Sequence, residues 1–190
     1  MTTFLPAFLF IFIIGFGAIF IYYTVKVDKL DSEARDKSSE MDGNLWDRAF
    51  QMTKLVEILD EKGIEHEVEA PNINAFGLGM SILLQTTSSE DLDNKERQLR
   101  AVLEEHPELE EDEEFKLHWD KCLTARSELM KNSLEYNKRA NAYNNGIAAF
   151  PANAVAAFHK KKGKMTFVYI FTELKADKNA GKKEEKAEDK

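Results

Sequence analysis

The stretch "FKLHWDKCLTARSELMKNSLEYNKRANAYNNGIAAF", Phe115 to Phe150, decides how this chain folds. Phe115, Trp119, Cys122, Arg126, Leu129, Ser133, Tyr136, Ala140, Tyr143, Ile147 and Phe150 follow one another at alternating steps of four and three residues. A seam of that period lies on one face of an α-helix. The segment is therefore expected to form a single helix of roughly 58 Å at ~1.5 Å per residue, packed against partners in coiled-coil fashion. Arg126 and Ser133 interrupt the seam and are expected at the edge of a wide apolar face. Asn145-Gly146 looks like a turn in isolation, but Ile147 and Phe150 keep the seam in step beyond it. The helix should run through Gly146 at a cost of ~1 kcal/mol. Pro151 is the expected stop, opening a short alanine-rich turn, with Phe150 and Phe158 packing back on the bundle.

Working outward, the 190 residues, 43% hydrophobic and 32% charged, provide for one globular core plus appendages. A net charge of -8 and acids dense from Glu104 to Glu114 would repel a phosphate backbone, so no nucleic acid partner is expected. Cys122 is the sole cysteine, which leaves no internal disulfide and mildly favours a reducing cytoplasm.

The strongest local signal is "FLPAFLFIFIIGFGAIFIYYTV", Phe4 to Val25, uncharged throughout and about as long as the ~20 residues of a bilayer-spanning helix. A signal peptide would carry Lys or Arg before the apolar run, a shorter run, and an A-x-A cleavage pattern after it, and none of these is present. Tyr22 and Tyr23 suit a membrane boundary. Lys26, Lys29, Arg35 and Lys37 follow, with no basic side chain on the other flank. That bias places the N-terminus outside and the bulk of the chain in the cytoplasm, on a single-pass anchor in the inner membrane. Gly15 and Gly17 lack the spacing of a helix-dimer seam.

The expected organisation is an N-terminal region, 1–26, holding the span at 4–25; a connector, 27–43, interrupted at Asp42-Gly43; a helical bundle domain, 44–174; and a charged disordered tail, 175–190. Asn44 is placed to cap a helix whose apolar face is Leu45, Ala49, Met52, Val56 and Leu59, ending at Gly63. "INAFGLGMSILL", Ile73 to Leu84, is too short for a second span and reads as a short buried helix or a surface-seeking segment. Ser88 and Asp91 have helix-start spacing, followed by Leu92, Leu99, Val102 and Leu103, until Pro107. "MTFVYIF", 165–171, reads as extended, with a helix packed on the bundle as the alternative. If each helix reverses the last, the lysines at 160–164 lie at the far end of the bundle; an extra pass through Ile73 to Leu84 would reverse that parity.

No catalytic, cofactor or metal residues are expected. The four histidines are dispersed, and His66-Glu67 fails H-E-x-x-H because Ala70 stands at the second His position. Glu114, His118 and Cys122 share a helical face, but Cys122 falls on the core seam, where a lone thiol is usually a small hydrophobe. Gly77-Leu78-Gly79 lacks the third glycine and downstream acid of a dinucleotide loop.

With the long helix and its proline-terminated end in view, the sequence resembles the LemA family of membrane-anchored bacterial proteins. "LEEHPELEEDEEF", Leu103 to Phe115, is similar to that family's E-x-x-P-x-L spacing. "EYNKRANAYNNGIAAFP", Glu135 to Pro151, resembles its doubled Tyr-Asn motif closing on an aromatic-Pro pair. The resemblance spans 99–171 together with the anchor. "WDRAFQMTKLVEIL" departs from the family's basic segment after the anchor, and Phe158-His159 stands in place of its Gly-Phe. The resemblance implies an all-α fold, an elongated antiparallel bundle on one membrane helix, with Tyr136, Asn137, Tyr143, Asn144, Phe150, Pro151 and Phe158 as structural or partner-binding residues. Asn137, Asn144 and Asn145 are expected to bond locally. The expected role is a non-catalytic adaptor or scaffold, touching lipid through its anchor and docking an unknown protein of the membrane or envelope. The alternative is a membrane-surface lipid binder using Ile73 to Leu84 and the lysine cluster.

Overall fold

The computed structural model describes residues 4–168. Four α-helices, α1 (Phe4–Glu61), α2 (Ile82–Glu105), α3 (Glu113–Ala148) and α4 (Ala152–Phe158), are joined through short 3-10 turns at Ile73–Ala75 and Pro107–Glu110. The fold is all-α, with no strand among the described residues. The expected tail at 175–190 and the later part of 165–171 lie outside the described residues.

α1 runs 58 residues without interruption, about 87 Å at ~1.5 Å per residue. The break expected at Asp42-Gly43 does not form, and Asn44 is not a cap. The reason is tertiary. Val27, Ala34 and Met41, at seven-residue steps, continue into Leu45, Met52 and Leu59, and all six are buried. The Asp42 carboxylate, instead of folding back on its own backbone, accepts hydrogen bonds from the Gly79 amide (2.7 Å) and Gln85 Nε2 (2.6 Å). Asn44 accepts from Asn132 Nδ2 on α3 (2.9 Å).

α2 begins seven residues earlier than the Ser88 signal. Ser81 is its cap, its Oγ accepting from the Leu84 amide at 3.2 Å. The seam Gln85, Ser89, Leu92, Glu96, Leu99 is buried throughout but polar at three of five positions, which hid its first turns from an apolar-pattern reading. Ile73 to Leu84 is accordingly neither a buried helix nor one continuous segment: it is a 3-10 turn, an irregular loop and the start of α2. Phe76, Met80 and Ile82 pack on the core, while Leu78 and Leu83 are exposed.

This loop changes the parity of the bundle. Residues 64–81, irregular but for the 3-10 turn, return along α1 to reach Asp42, α2 then leads away again, and α3 comes back antiparallel to α1. Contacts fix the direction: Lys62 with Asp112 at 2.6 Å, Gln51 with His118 at 2.7 Å, Asn44 with Asn132, Glu33 with Arg139, and Val27 packed with Tyr143. The end of α3, α4 and the lysines therefore lie beside the apolar end of α1, opposite to the expected far end.

Asp112 caps α3, accepting from the Phe115 amide at 2.8 Å. The helix passes through Gly146 as expected, and a Cβ there would stand 2.8 Å from Leu30 Cδ1, so the glycine also lets α3 approach α1 closely. Phe115, Cys122, Leu129, Ser133, Tyr136, Ala140 and Tyr143 are buried along the seam. Phe150 is not. The helix ends at Ala148, and Phe150, out of helical register, is 84% exposed. Phe158 is 71% exposed: it meets the Phe20 ring of α1 edge to face, but like Phe150 it is not taken into the core. Small residues do that work: α4 buries Ala152, Val155 and Ala156 against the bundle.

Candidate functional site

Two sets of polar groups give the bundle its specific geometry. The first is built on the doubled Tyr-Asn pairs. Asn137 and Asn144 lie seven residues apart on α3, about 10.5 Å along its axis at ~1.5 Å per residue. Beside them runs residues 164–167 in non-helical conformation, where three residues of extended chain cover about 10 Å at ~3.3 Å each. The two lengths match, and each asparagine holds one residue of that segment by both backbone groups. Asn144 accepts from the Lys164 amide (2.7 Å) and donates to the Lys164 carbonyl (2.9 Å). Asn137 does the same at Phe167 (2.7 and 2.8 Å). Between them Tyr136 Oη donates to the Met165 carbonyl at 2.7 Å. A primary amide presents one donor and one acceptor side by side, as a neighbouring strand would, so a helix here satisfies an extended segment that has no strand to pair with.

The clamp seats Phe167 in the core, 2% exposed. It also brings Lys164 over the Tyr143 ring, 5.1 Å from its centroid, and within 2.7 Å of Asp31 Oδ1. Lys161 reaches Asp28 and Asp31 at 2.9 and 3.0 Å. Burial alone would raise the Asp31 carboxyl, but the hydrogen bonds from Lys164 and Lys161, with the charges of Lys164 and Arg35, outweigh it and hold Asp31 below its ordinary value. Burial pushes the Tyr136 and Tyr143 phenols up, which keeps the Tyr136 hydroxyl a protonated donor to Met165.

Of the seven expected motif residues, Tyr136, Asn137, Tyr143 and Asn144 come together on this clamp. Phe150, Pro151 and Phe158 stand apart, at the corner between α3 and α4. Asn145 is exposed and takes no part in the clamp.

The second set joins α1, α2 and α3. Arg48, fully buried, places Nη2 2.6 Å from both Glu96 Oε2 and Asp93 Oδ1. Glu96 Oε1 also receives Arg100 Nη2 at 2.8 Å and Arg126 Nη1 at 3.2 Å. Arg126 thus interrupts the α3 seam because it faces carboxylates of α2, and not merely as an edge residue reaching for water. Arg48 and Glu96 escaped notice in the sequence. The signal was there: Met41, Leu45, Arg48, Met52, Leu55 and Leu59 step by four and three, with the arginine inside the seam.

Among the described residues no group of three or more His, Cys, Asp or Glu side chains converges to hold a metal ion. Cys122 is buried and its thiol is pushed up to about 11 by burial, while His118 Nδ1 is engaged by Gln51 and its imidazole is lowered by burial and by Lys121.

The clamp and the α3–α4 corner fall within residues 79–180, which match the LemA family profile. The chain belongs to the LemA family. The match opens at Gly79, whose amide is the group held by Asp42, and takes in α2, α3, α4 and the clamp, so it extends the resemblance from 99–171 toward both ends. In this LemA protein α1 lies outside the match. No curated protein and no solved structure matches the chain.

Proposed function

We propose that this LemA-family protein is a single-pass, non-catalytic adaptor of the inner membrane, N-terminus outside, which holds a protein partner at a set height above the cytoplasmic face. Among the described residues, α1 is the one helix long and apolar enough to cross a membrane. Phe8, Phe10, Ile11, Phe12, Ile13, Ile14 and Phe16 are exposed around its whole circumference, a pattern suited to lipid on every side. The same unbroken helix carries the bundle, so the tether and the binding body are mechanically one piece.

The observation that carries the adaptor reading is the loop tip. Leu78 is 83% exposed and Leu83 61%, yet the backbone between them is fastened to α1 through Asp42 and Gly79. An apolar tip held rigid in water is a low-entropy contact for a protein surface. Asp42 lies 17 residues beyond Val25, about 25 Å at ~1.5 Å per residue, so the tip stands clear of a bilayer traversed by residues 4–25. That height favours a protein ligand for Leu78 and Leu83 over lipid. A photo-crosslinker placed at Leu78 in living cells should capture a defined protein, and Leu78→Glu with Leu83→Glu should abolish its co-isolation while leaving membrane integration and the thermal transition unchanged. Capture of lipid alone from position 78 would sink the adaptor reading.

A further inference from the structure

The α3–α4 corner closes the bundle against the apolar end of α1, and its two largest apolar side chains, Phe150 and Phe158, are largely exposed. α4 buries Ala152, Val155 and Ala156, and neither ring enters the core. Contacts set their height. Phe158 meets Phe20 edge to face with centroids 5.4 Å apart, the His159 ring is 6.0 Å from Phe20, and His159 Nε2 is 3.4 Å from Thr24 Oγ1. Phe150 follows Ile147, which packs in one cluster with Tyr23 and Leu30. Phe20 lies five residues inside the uncharged run ending at Val25, so the corner overlaps the last ~7 Å of that run at ~1.5 Å per residue.

The charges point the same way. From residue 26 to 37, α1 carries Lys26, Lys29, Arg35 and Lys37 against Asp28, Asp31, Glu33 and Asp36, and is neutral. Lys161 and Lys164 are taken up by Asp28 and Asp31, whereas Lys160 and Lys162 are exposed. In a chain of net charge -8, this end gathers a positive excess next to exposed phenyl rings. Aromatic rings backed by lysines at the mouth of an apolar span have the composition of a segment seated in the lipid interface.

We propose that the α3–α4 corner is a second membrane contact: Phe150 and Phe158 insert at the boundary of the acyl chains, and Lys160 and Lys162 pair with phosphates of anionic lipid headgroups. The inference rests on α1 crossing the bilayer. Two points of contact fix the tilt and rotation of the bundle, which one helix entering lipid does not, and so hold Leu78 at a constant height and azimuth.

The test uses the full chain reconstituted in phosphatidylcholine vesicles with and without phosphatidylglycerol, carrying one nitroxide at a time on Ala157→Cys, Phe12→Cys or Leu78→Cys, with buried Cys122 left in place. Accessibility to oxygen against a water-soluble nickel chelate reports depth. The label at 157 should favour oxygen and move deeper with phosphatidylglycerol, and that at 78 should favour the chelate. Lys160→Gln and Lys162→Gln should each lower occupancy of the deep position about fivefold in anionic vesicles, and Phe150→Ser with Phe158→Ser should abolish it. A chelate-accessible label at 157 beside an oxygen-only label at 12 overturns the second contact and leaves the span standing. A chelate-accessible label at 12 removes the span and this inference with it. Equal depth in both lipids overturns the role of the lysines, and a label at 157 shielded from both reagents shows that a second copy of the chain covers the corner instead.

Discussion

Replacing Glu96 by Gln should be among the most damaging single changes available in this bundle. Glu96 is 3% exposed and serves three guanidiniums, Arg48, Arg100 and Arg126, at 2.6, 2.8 and 3.2 Å. The substitution keeps the shape and removes the charge, leaving fully buried Arg48 to share Asp93 with Arg126. Removing one partner of a buried ion pair costs about 3–5 kcal/mol, because the other charge stays desolvated. Against a total stability of roughly 5–15 kcal/mol that is a large fraction. In urea unfolding of the full chain in detergent, with an m-value of roughly 2 kcal/mol/M, the midpoint should fall by about 2 M. Trp119, whose ring lies 5.2 Å from the Arg100 guanidinium carbon, reports the transition by fluorescence. Acid supplies an independent check. Burial would raise Glu96, but the Arg48 charge, the Arg100 hydrogen bond and the Arg126 charge outweigh it, so its folded value lies below the ordinary 4.5. A carboxyl depressed on folding contributes stability that is complete above its unfolded value and is lost as pH falls through the folded one. The parent should therefore weaken below pH 4.5, and Glu96→Gln should show a shallower acid slope as well as a lower plateau. The double change Arg48→Met with Glu96→Leu should recover much of the loss, since an apolar replacement of a whole buried pair is often neutral. A Glu96→Gln cost under about 1 kcal/mol, or an unchanged acid slope, would refute the claim that this network carries its charges desolvated.

Three further outcomes follow from the geometry. Asn137→Ala with Asn144→Ala should speed hydrogen exchange at the amides of Lys164 and Phe167 by roughly tenfold or more, at about 1 kcal/mol per lost hydrogen bond, whereas Asn145→Ala should leave them unchanged. Gly43→Ala should stabilise the chain by about 0.5–1 kcal/mol in a melt, because the residue is helical and a Cβ there meets nothing within 4 Å. The same change at Gly146 should gain less, since Leu30 must give way. The Cys122 thiol should resist iodoacetamide at neutral pH until urea unfolds the bundle; alkylation of the native chain at the rate of a free cysteine would contradict its burial and raised pKa.

The sequence by itself determined the helical class, the apolar run, the unbroken course of α3 through Gly146, the stop before Pro151 and the family. Each is a local or periodic property: a run of uncharged residues, a four-and-three repeat, and a proline that no helix interior accepts. It also singled out Tyr136, Asn137, Tyr143 and Asn144, but not their task, because an asparagine on a helix surface gives no sign of what its amide will hold. Tertiary structure alone decided that task, since the guest at 164–167 is supplied by chain twenty to thirty residues downstream. It also overrode local signals where distant groups competed. Asp42 and Gly43 read as a break until Gly79 and Gln85 take up the aspartate and a buried seam sustains the helix on both sides. Gln85 and Glu96 break the apolar pattern of α2 yet are buried, because Ser38 and Asp42 of α1 take up Gln85 and the guanidiniums of Arg48, Arg100 and Arg126 take up Glu96. One consequence reached the whole molecule. A return from 64 to 81, irregular but for one 3-10 turn, supplies the extra pass, and it moves the α3–α4 corner from the far end of the bundle to the mouth of the apolar helix.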